Sequence, residues 1–306
     1  MGGQAPSAIN PRVQSILMAL GSVGVWGTGL WLEESRRAEA KDVAAELDEL
    51  GYAALWLSAG FGQGLPAVFA DLLDATARMS VASGILSIWH ATTAQAAQGF
   101  AALESAYPGR FLLGLGASHA LRVDVDEKRY ERPWSRMVGY LDELDAQRPG
   151  VPPERRVLAA LGPRMLKLSA ERAAGAHPYF VPVEHTALAR ETLGPGPLLA
   201  PEQAVVLETD PELARELARG HMLGYLRLPN YTNNLRRLGY RDEDFDGGGS
   251  DRLVDAIVAW GDLDRIVERV RAHLDAGADS VSVQVISERP TQFPREHYRR
   301  LATALL

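Results

Sequence analysis

Gly109-Arg110-Phe111-Leu112-Leu113-Gly114-Leu115-Gly116-Ala117-Ser118-His119 is the stretch on which the reading of this chain turns. An apolar strand, Phe111 to Leu115, runs into glycines at 114 and 116, then into a hydroxyl and an imidazole. A barrel strand ends this way when its tip holds a ligand. The glycines let a backbone approach something flat or anionic, and Ser118 and His119 supply donors there. Taken alone, the stretch is equally a strand ending in a turn with an incidental histidine. The rest of the chain separates the two.

Outward from this stretch, strands and helices alternate. Val13–Leu20 reads as a first strand, with Gly21 to Trp26 following it. Glu33–Leu50 is an amphipathic helix closed by Gly51, a C-cap signal. Ala53–Leu57 is strand two, Leu65–Ala77 a helix, Met79–Trp89 strand three, Thr93–Ser105 a helix and Arg110–Leu115 strand four. Pro133–Asp145 is a helix, Arg156–Leu161 strand five, Pro163–Ala174 a helix, Ala176–Val181 strand six and Ala204–Glu208 strand seven. Pro211–Leu226 is a helix, and 229–251 is a long excursion rich in Asn, Arg, Asp and Gly. Leu263–Ala276, Ser280–Ile286 and Pro294–Leu305 complete the pattern as helix, strand eight and final helix. Eight strands separated by helices predict an α/β fold, a single (β/α)8 TIM barrel over residues 1–306. Residues 229–251 would be an insertion or lid before the last helix and strand. An open doubly wound sheet competes, but no G-x-G-x-x-G follows strand one into a helix.

The 306 residues carry a net charge of −7, which argues against a general nucleic-acid or anionic-membrane surface. No apolar run reaches membrane-spanning length and no signal peptide is evident. A cytoplasmic protein acting on a small molecule, with no nucleic acid and no membrane partner, is therefore expected. No cysteine occurs, which excludes disulfides, thiolate metal sites and cysteine nucleophiles.

Chemistry in a barrel lies at the carboxyl ends of the strands. Those ends hold Gly24, Trp26 and Gly27, then Ser58 to Gly62, Gly84 to His90, Ala117 to His119, Gly162 to Met165, and His177 to Phe180. The set is apolar and aromatic, with a few imidazoles and hydroxyls. It lacks the paired carboxylates of glycoside hydrolysis. Asp124, Asp126 and Glu127 read as solvated loop residues, and no metal site is expected. Lysine occurs only at 41, 128 and 167, none of them placed at a strand end for a Schiff base. A flat apolar mouth suits a planar ring. Gly162-Pro163-Arg164 is either an anion site, built from helix amides, the helix dipole and Arg164, or the ordinary start of a helix. His90, His119 and His177 share one rim, so at least one functional histidine is expected there. His221, His273 and His297 fall on helices as packing or surface residues, and His185 falls in a loop. Trp26 and Trp89 either wall the pocket, with His90 and His177, or pack its rim.

Six stretches together resemble the luciferase-like monooxygenase superfamily, and within it the coenzyme F420-dependent oxidoreductases. They are Gly51 to Leu57, Val81 to Trp89, Gly109 to His119, Ala159 to Leu166, Ala173 to Phe180 and Ala276 to Asp279. The resemblance implies a luciferase-like barrel with a deazaflavin across the strand ends. It implies a non-proline cis peptide near Gly84-Ile85, where strand three bulges against the ring. Ile85, Ala117 and Ser118 would bracket the ring, and the tail phosphate would lie near Gly162, Pro163, Arg164 and Met165. Ser58 and Tyr179 would be further cofactor contacts. His119 would handle the proton while hydride moves to or from C5. Two departures matter. Many F420 relatives carry Asp-His after strand two, where this chain has Ser58-Ala59-Gly60. Flavin-using relatives often place an arginine for the FMN phosphate where this chain has Ala117, which favours F420. The expected function is hydride transfer between F420 and a small organic substrate, by a homodimer. An FMN-dependent monooxygenase and a non-catalytic cofactor-binding barrel are the alternatives.

Overall fold

The computed structural model describes residues 20–27, 33–58, 65–119 and 130–306. Its strands pair in parallel throughout. β1 (Val23–Gly27), β2 (Ala54–Leu57), β3 (Ser80–Ser83), β4 (Leu86–Ser87), β5 (Phe111–Gly116), β6 (Arg156–Leu158) and β7 (Gly175–Ala176) follow one another around a curved sheet. Helices α1 (Arg37–Leu50), α2 (Leu65–Asp74), α3 (Thr93–Ala106), α4 (Pro133–Asp145) and α5 (Pro163–Arg172) fill the connections. β8 (Leu198–Leu199) and β9 (Glu202–Val206) are halves of one extended segment after α6 (Val183–Leu193). One edge of that segment bonds back to β7, through Ala200 N to Ala176 O and Glu202 N to Pro178 O. Its other edge meets β11 (Val281–Val285), which pairs with β1 and completes the (β/α)8 ring. Between them lie α7 (Pro211–Tyr225), α8 (Pro229–Arg237), α9 (Asp251–Ile257), β10 (Val258–Trp260) and α10 (Leu263–Asp275), with α11 (Arg295–Leu305) last.

Alternation along each strand divides the core in two. Trp26, Ala54, Trp56, Ala82, Leu112, Val157, Leu198 and Ala200 pack together inside the barrel. Val25, Leu55, Leu57, Val81, Leu113, Leu115, Val281 and Val283 face the helices. The helices answer with stripes: Ala40, Val43, Ala44 and Leu47 of α1 recur at helical spacing and are buried. Gly51 ends that helix with a φ of 98°, a left-handed conformation that favours glycine. None of the described helices is long and apolar enough to cross a membrane.

Several boundaries differ from expectation. The expected first strand lies outside the described residues except for Leu20, and β1 is the segment expected to follow it, so Gly24, Trp26 and Gly27 stand within a strand. Strand three is broken at Gly84 and Ile85. Strand six stops at Ala176, so His177 to Phe180 form its outgoing loop. His185 lies in α6 and not in a loop. The 229–251 excursion holds helix α8 and two 3-10 turns before α9. The loops holding Asp124, Asp126, Glu127 and Lys128, and Ala59 to Gly62, lie outside the described residues.

Candidate functional site

At the carboxyl end of the barrel, strand tips and α8 enclose a cavity of about 420 Å³. The Gly84–Ile85 peptide is cis and divides β3 from β4. Ser83 bridges the break: its Oγ donates to Gly114 O at 2.9 Å and accepts from Gly114 N at 2.8 Å. This bulge explains the two strand-four glycines. A Cβ on Gly114 would lie 1.9 Å from Ser83 O, and one on Gly116 would lie 2.5 Å from Ile85 Cδ1. The glycines therefore admit the neighbouring strand, where a ligand had been expected, and the bulge carries Ile85 into the cavity.

Ser58, Gly84, Ile85, Ala117, Ser118 and His119 line this cavity. So do Trp26, Gly162, Met165, His177 and Tyr179. Pro163, Arg164, Trp89 and His90 are not among its lining residues. Arg164 is exposed and lies over the Trp134 ring, 4.2 Å from its centroid. Trp89 Nε1 donates to Ala117 O at 2.6 Å and braces the β5 tip from behind. His90 Nδ1 pairs with Ser87 Oγ at 3.0 Å. Ser118 has a φ of 55°, and Tyr130 donates its hydroxyl to Ser118 O at 2.9 Å.

Sequence reasoning missed α8. Asn230, Tyr231, Asn233 and Arg237 all face the cavity from this helix. His119 Nδ1 meets Asn230 Oδ1 at 3.0 Å, and its ring packs 5.2 Å from Tyr231. Arg237 Nη2 lies 3.4 Å from where a Cβ on Gly162 would stand and donates to Asn234 Oδ1 at 3.1 Å. The guanidinium beside the amino end of α5 is thus Arg237, in the place expected for Arg164. The signal was the spacing of Asn230, Asn233, Asn234 and Arg237 along one helix face. His185 supports the same corner: it is buried, and its Nε2 donates to Leu161 O at 2.9 Å. Burial pushes its pKa down, and Arg237 nearby lowers it further.

The cavity floor is aromatic. His177 stacks on Trp56 with centroids 4.0 Å apart and planes 5° apart, and its Nδ1 donates to Ala200 O at 2.6 Å. Burial pushes the imidazole down to about 4, so it stands neutral. Tyr179 packs 5.0 Å from Trp26, donates to Gln284 Oε1 at 2.9 Å and pairs with the Tyr225 hydroxyl at 2.8 Å. Behind them Glu202, another residue the sequence did not single out, accepts from Phe180 N through Oε2 at 3.2 Å. Phe180 has a φ of 59°, so this bond secures the left-handed turn that aims His177 and Tyr179. Burial raises the Glu202 carboxyl to about 8, against the pull of the Phe180 amide. A second cavity, about 640 Å³, opens between α7 and the segment after β11. It shares Trp26 with the first but none of the other strand-tip candidates. Among the described residues no cluster of three His, Asp or Glu side chains is placed to hold a metal ion.

A parallel barrel whose third strand bulges into a strand-end cavity places its candidate site at the face where barrel enzymes keep theirs. The chain belongs to the luciferase-like monooxygenase family, whose profile matches residues 18–280. No curated protein sequence matches it. Its fold is similar to that of an F420-dependent secondary alcohol dehydrogenase solved with an F420–acetone adduct, at 14 % identity and a TM-score of 0.67 over 93 % of this chain and 99 % of that one. It is similar to the coenzyme F420-dependent tetrahydromethanopterin reductase of Methanopyrus kandleri, at 16 % identity and a TM-score of 0.70 over 93 % and 98 %. It is also similar to the oxygenating constituent of 3,6-diketocamphane monooxygenase from Pseudomonas putida, solved with FMN, at 14 % identity and a TM-score of 0.64 over 92 % and 95 %.

Proposed function

We propose that this protein is an F420-dependent oxidoreductase that moves hydride between C5 of the deazaflavin and a small organic substrate. The observation that carries the reading is the break in strand three that presents Ile85 to a cavity with an anion-ready corner at Gly162 and Arg237. The residues present fit a planar ring with an anionic tail. Ile85, Ala117, Trp26 and Tyr179 offer apolar and aromatic surface for the ring. The first amides of α5, the helix dipole and Arg237 would hold the tail. Ala117, where flavin-using relatives often place an arginine for the FMN phosphate, favours the deazaflavin over FMN. The deazaflavin supplies two-electron hydride chemistry when bound. The chain's part is to orient the reactants, exclude water and manage a proton. His119, held by Asn230, is the proton-handling group at the strand-four tip.

A fluorescence titration with F420 beside one with FMN tests this. Micromolar or tighter F420 binding with much weaker FMN binding is expected. Tight FMN binding with weak F420 binding would move the function to oxygen-dependent monooxygenation. Binding of neither would remove the cofactor reading.

A further inference from the structure

Two buried polar atoms of the cavity floor have no hydrogen-bond partner among the described residues, Nε2 of His177 and Nε1 of Trp26. They are complementary. Nδ1 of His177 gives its proton to Ala200 O, so Nε2 of the neutral ring holds a lone pair and only accepts. The indole Nε1–H only donates. The side chains are deep in the fold, His177 at 2 % exposure and Trp26 at 8 %. Both are also held in place: His177 lies flat on Trp56, and Trp26 is the register partner of Trp56 across β1 and β2. Buried donors and acceptors are costly to leave unpaired.

We propose that the cavity floor is a two-point clamp, His177 Nε2 accepting and Trp26 Nε1 donating, for a neutral edge that offers one N–H or O–H and one acceptor oxygen. An ionised carboxylate or a phosphodiester has no proton for His177, and the lining arginine, Arg237, stands at Gly162. A simple ketone satisfies Trp26 and leaves His177 unpaired. Two edges of the required kind belong in such a cavity. One is the imide edge of the deazaflavin ring, where N3–H lies between two carbonyls. The other is the hydroxyl of an alcohol substrate. Burial keeps the imidazole neutral down to about pH 4, so the acceptor persists at neutral pH. The inference rests on the reading of this cavity as a deazaflavin site.

The test uses the full chain, wild type beside His177→Phe and Trp26→Phe. Each is titrated with F420 and with N3-methyl F420 by ligand fluorescence, and the F420-bound protein is then titrated with cyclohexanol and with cyclohexanone. If the imide edge fills the clamp, wild type binds the N3-methyl form about tenfold more weakly than F420, and His177→Phe loses that discrimination. If a hydroxyl fills it, the two cofactors bind alike, cyclohexanol binds about tenfold more tightly than cyclohexanone, and His177→Phe erases the preference. Wild type showing neither discrimination overturns the clamp. His177→Phe keeps the stack on Trp56 but leaves Ala200 O without its donor. Should that variant fail to fold by circular dichroism, the wild-type discrimination still decides, and Trp26→Phe, which removes only the donor, should weaken F420 and N3-methyl F420 about equally and keep the discrimination that His177 sets. Should F420 not bind at all, the proposed function fails separately, and FMN with N3-methyl FMN, which share the imide edge, still test the clamp.

Discussion

Gly116 shapes the site by what it lacks. Its missing methyl is the space that Ile85 occupies, so Gly116→Ala should force Ile85 out of place and destabilise the fold by about 1–3 kcal/mol, read by urea unfolding. Weaker F420 binding should accompany it. At the other corner the cation is Arg237. Arg237→Ala should raise the Kd for F420 about tenfold or more, since a hydrogen bond to a charged group contributes about 1.5–3 kcal/mol. Arg164→Ala should leave that Kd unchanged in the same fluorescence titration, because Arg164 lies over Trp134. His119→Ala should lower kcat on a turned-over substrate about a hundredfold or more and leave cofactor affinity near wild type. The strand-four tip was legible as a place on the cavity because its residues lie close together in the chain, but the reason for its glycines was not, because Ser83 and Ile85 reach them from another strand. Arg237 was not legible, because its place on one helix face with Asn230 and Asn233 does not say that this face meets Gly162, which is distant in the chain.

Helix α8 converts an unreadable excursion into a wall of the site. Asn230→Ala should remove the Nδ1 contact that orients His119 and lower kcat about two- to tenfold, a smaller loss than His119→Ala, with F420 affinity unchanged. Equal losses in the two variants would mean that Asn230 does more than orient. Elements with a long apolar stripe were recognisable because their periodicity is their own: α10 ends one residue before its expected end, and α1 ends where expected but begins four residues late, after the 3-10 turn at Glu34–Arg36. The two-residue strands β7 and β8 were not, since so short a run is a strand only by virtue of its partners. The break in strand three came through resemblance. A β-rich run such as Met79–Trp89 carries no local mark of where the backbone turns.

Among the described residues, buried histidines and one buried carboxyl push the response to pH in opposite directions. Burial lowers His177 and His221 to about 4 and His273 to about 3, from an ordinary 6.5. Between those values and 6.5 the unfolded chain binds more protons, so their contribution makes stability rise with pH. Glu202 acts oppositely: raised from 4.5 to about 8, it binds an extra proton in the folded state, so its contribution falls across that window. The lowered histidines, His185 among them, outnumber Glu202 and give a net rise up to about pH 6.5, and Glu202 then gives a decline toward about pH 8. The urea midpoint should therefore peak near neutrality, and Glu202→Gln should flatten the alkaline side. An alkaline decline that survives this substitution would place its cause elsewhere. We also propose a homodimer, for which light scattering should give twice the 33.2 kDa chain mass. By itself the sequence determined the alternation of strands and helices, the barrel it closes, and the glycine-rich tip ending at His119. These follow from periodicity and residue type within short windows. Only the tertiary structure decided that Asn230 meets His119, that Arg237 stands at Gly162 while Arg164 lies over Trp134, that Glu202 secures the His177 turn, and that His177 and Trp26 line one cavity. Each of these depends on residues far apart in the chain meeting at a barrel end, and no local pattern encodes such a meeting.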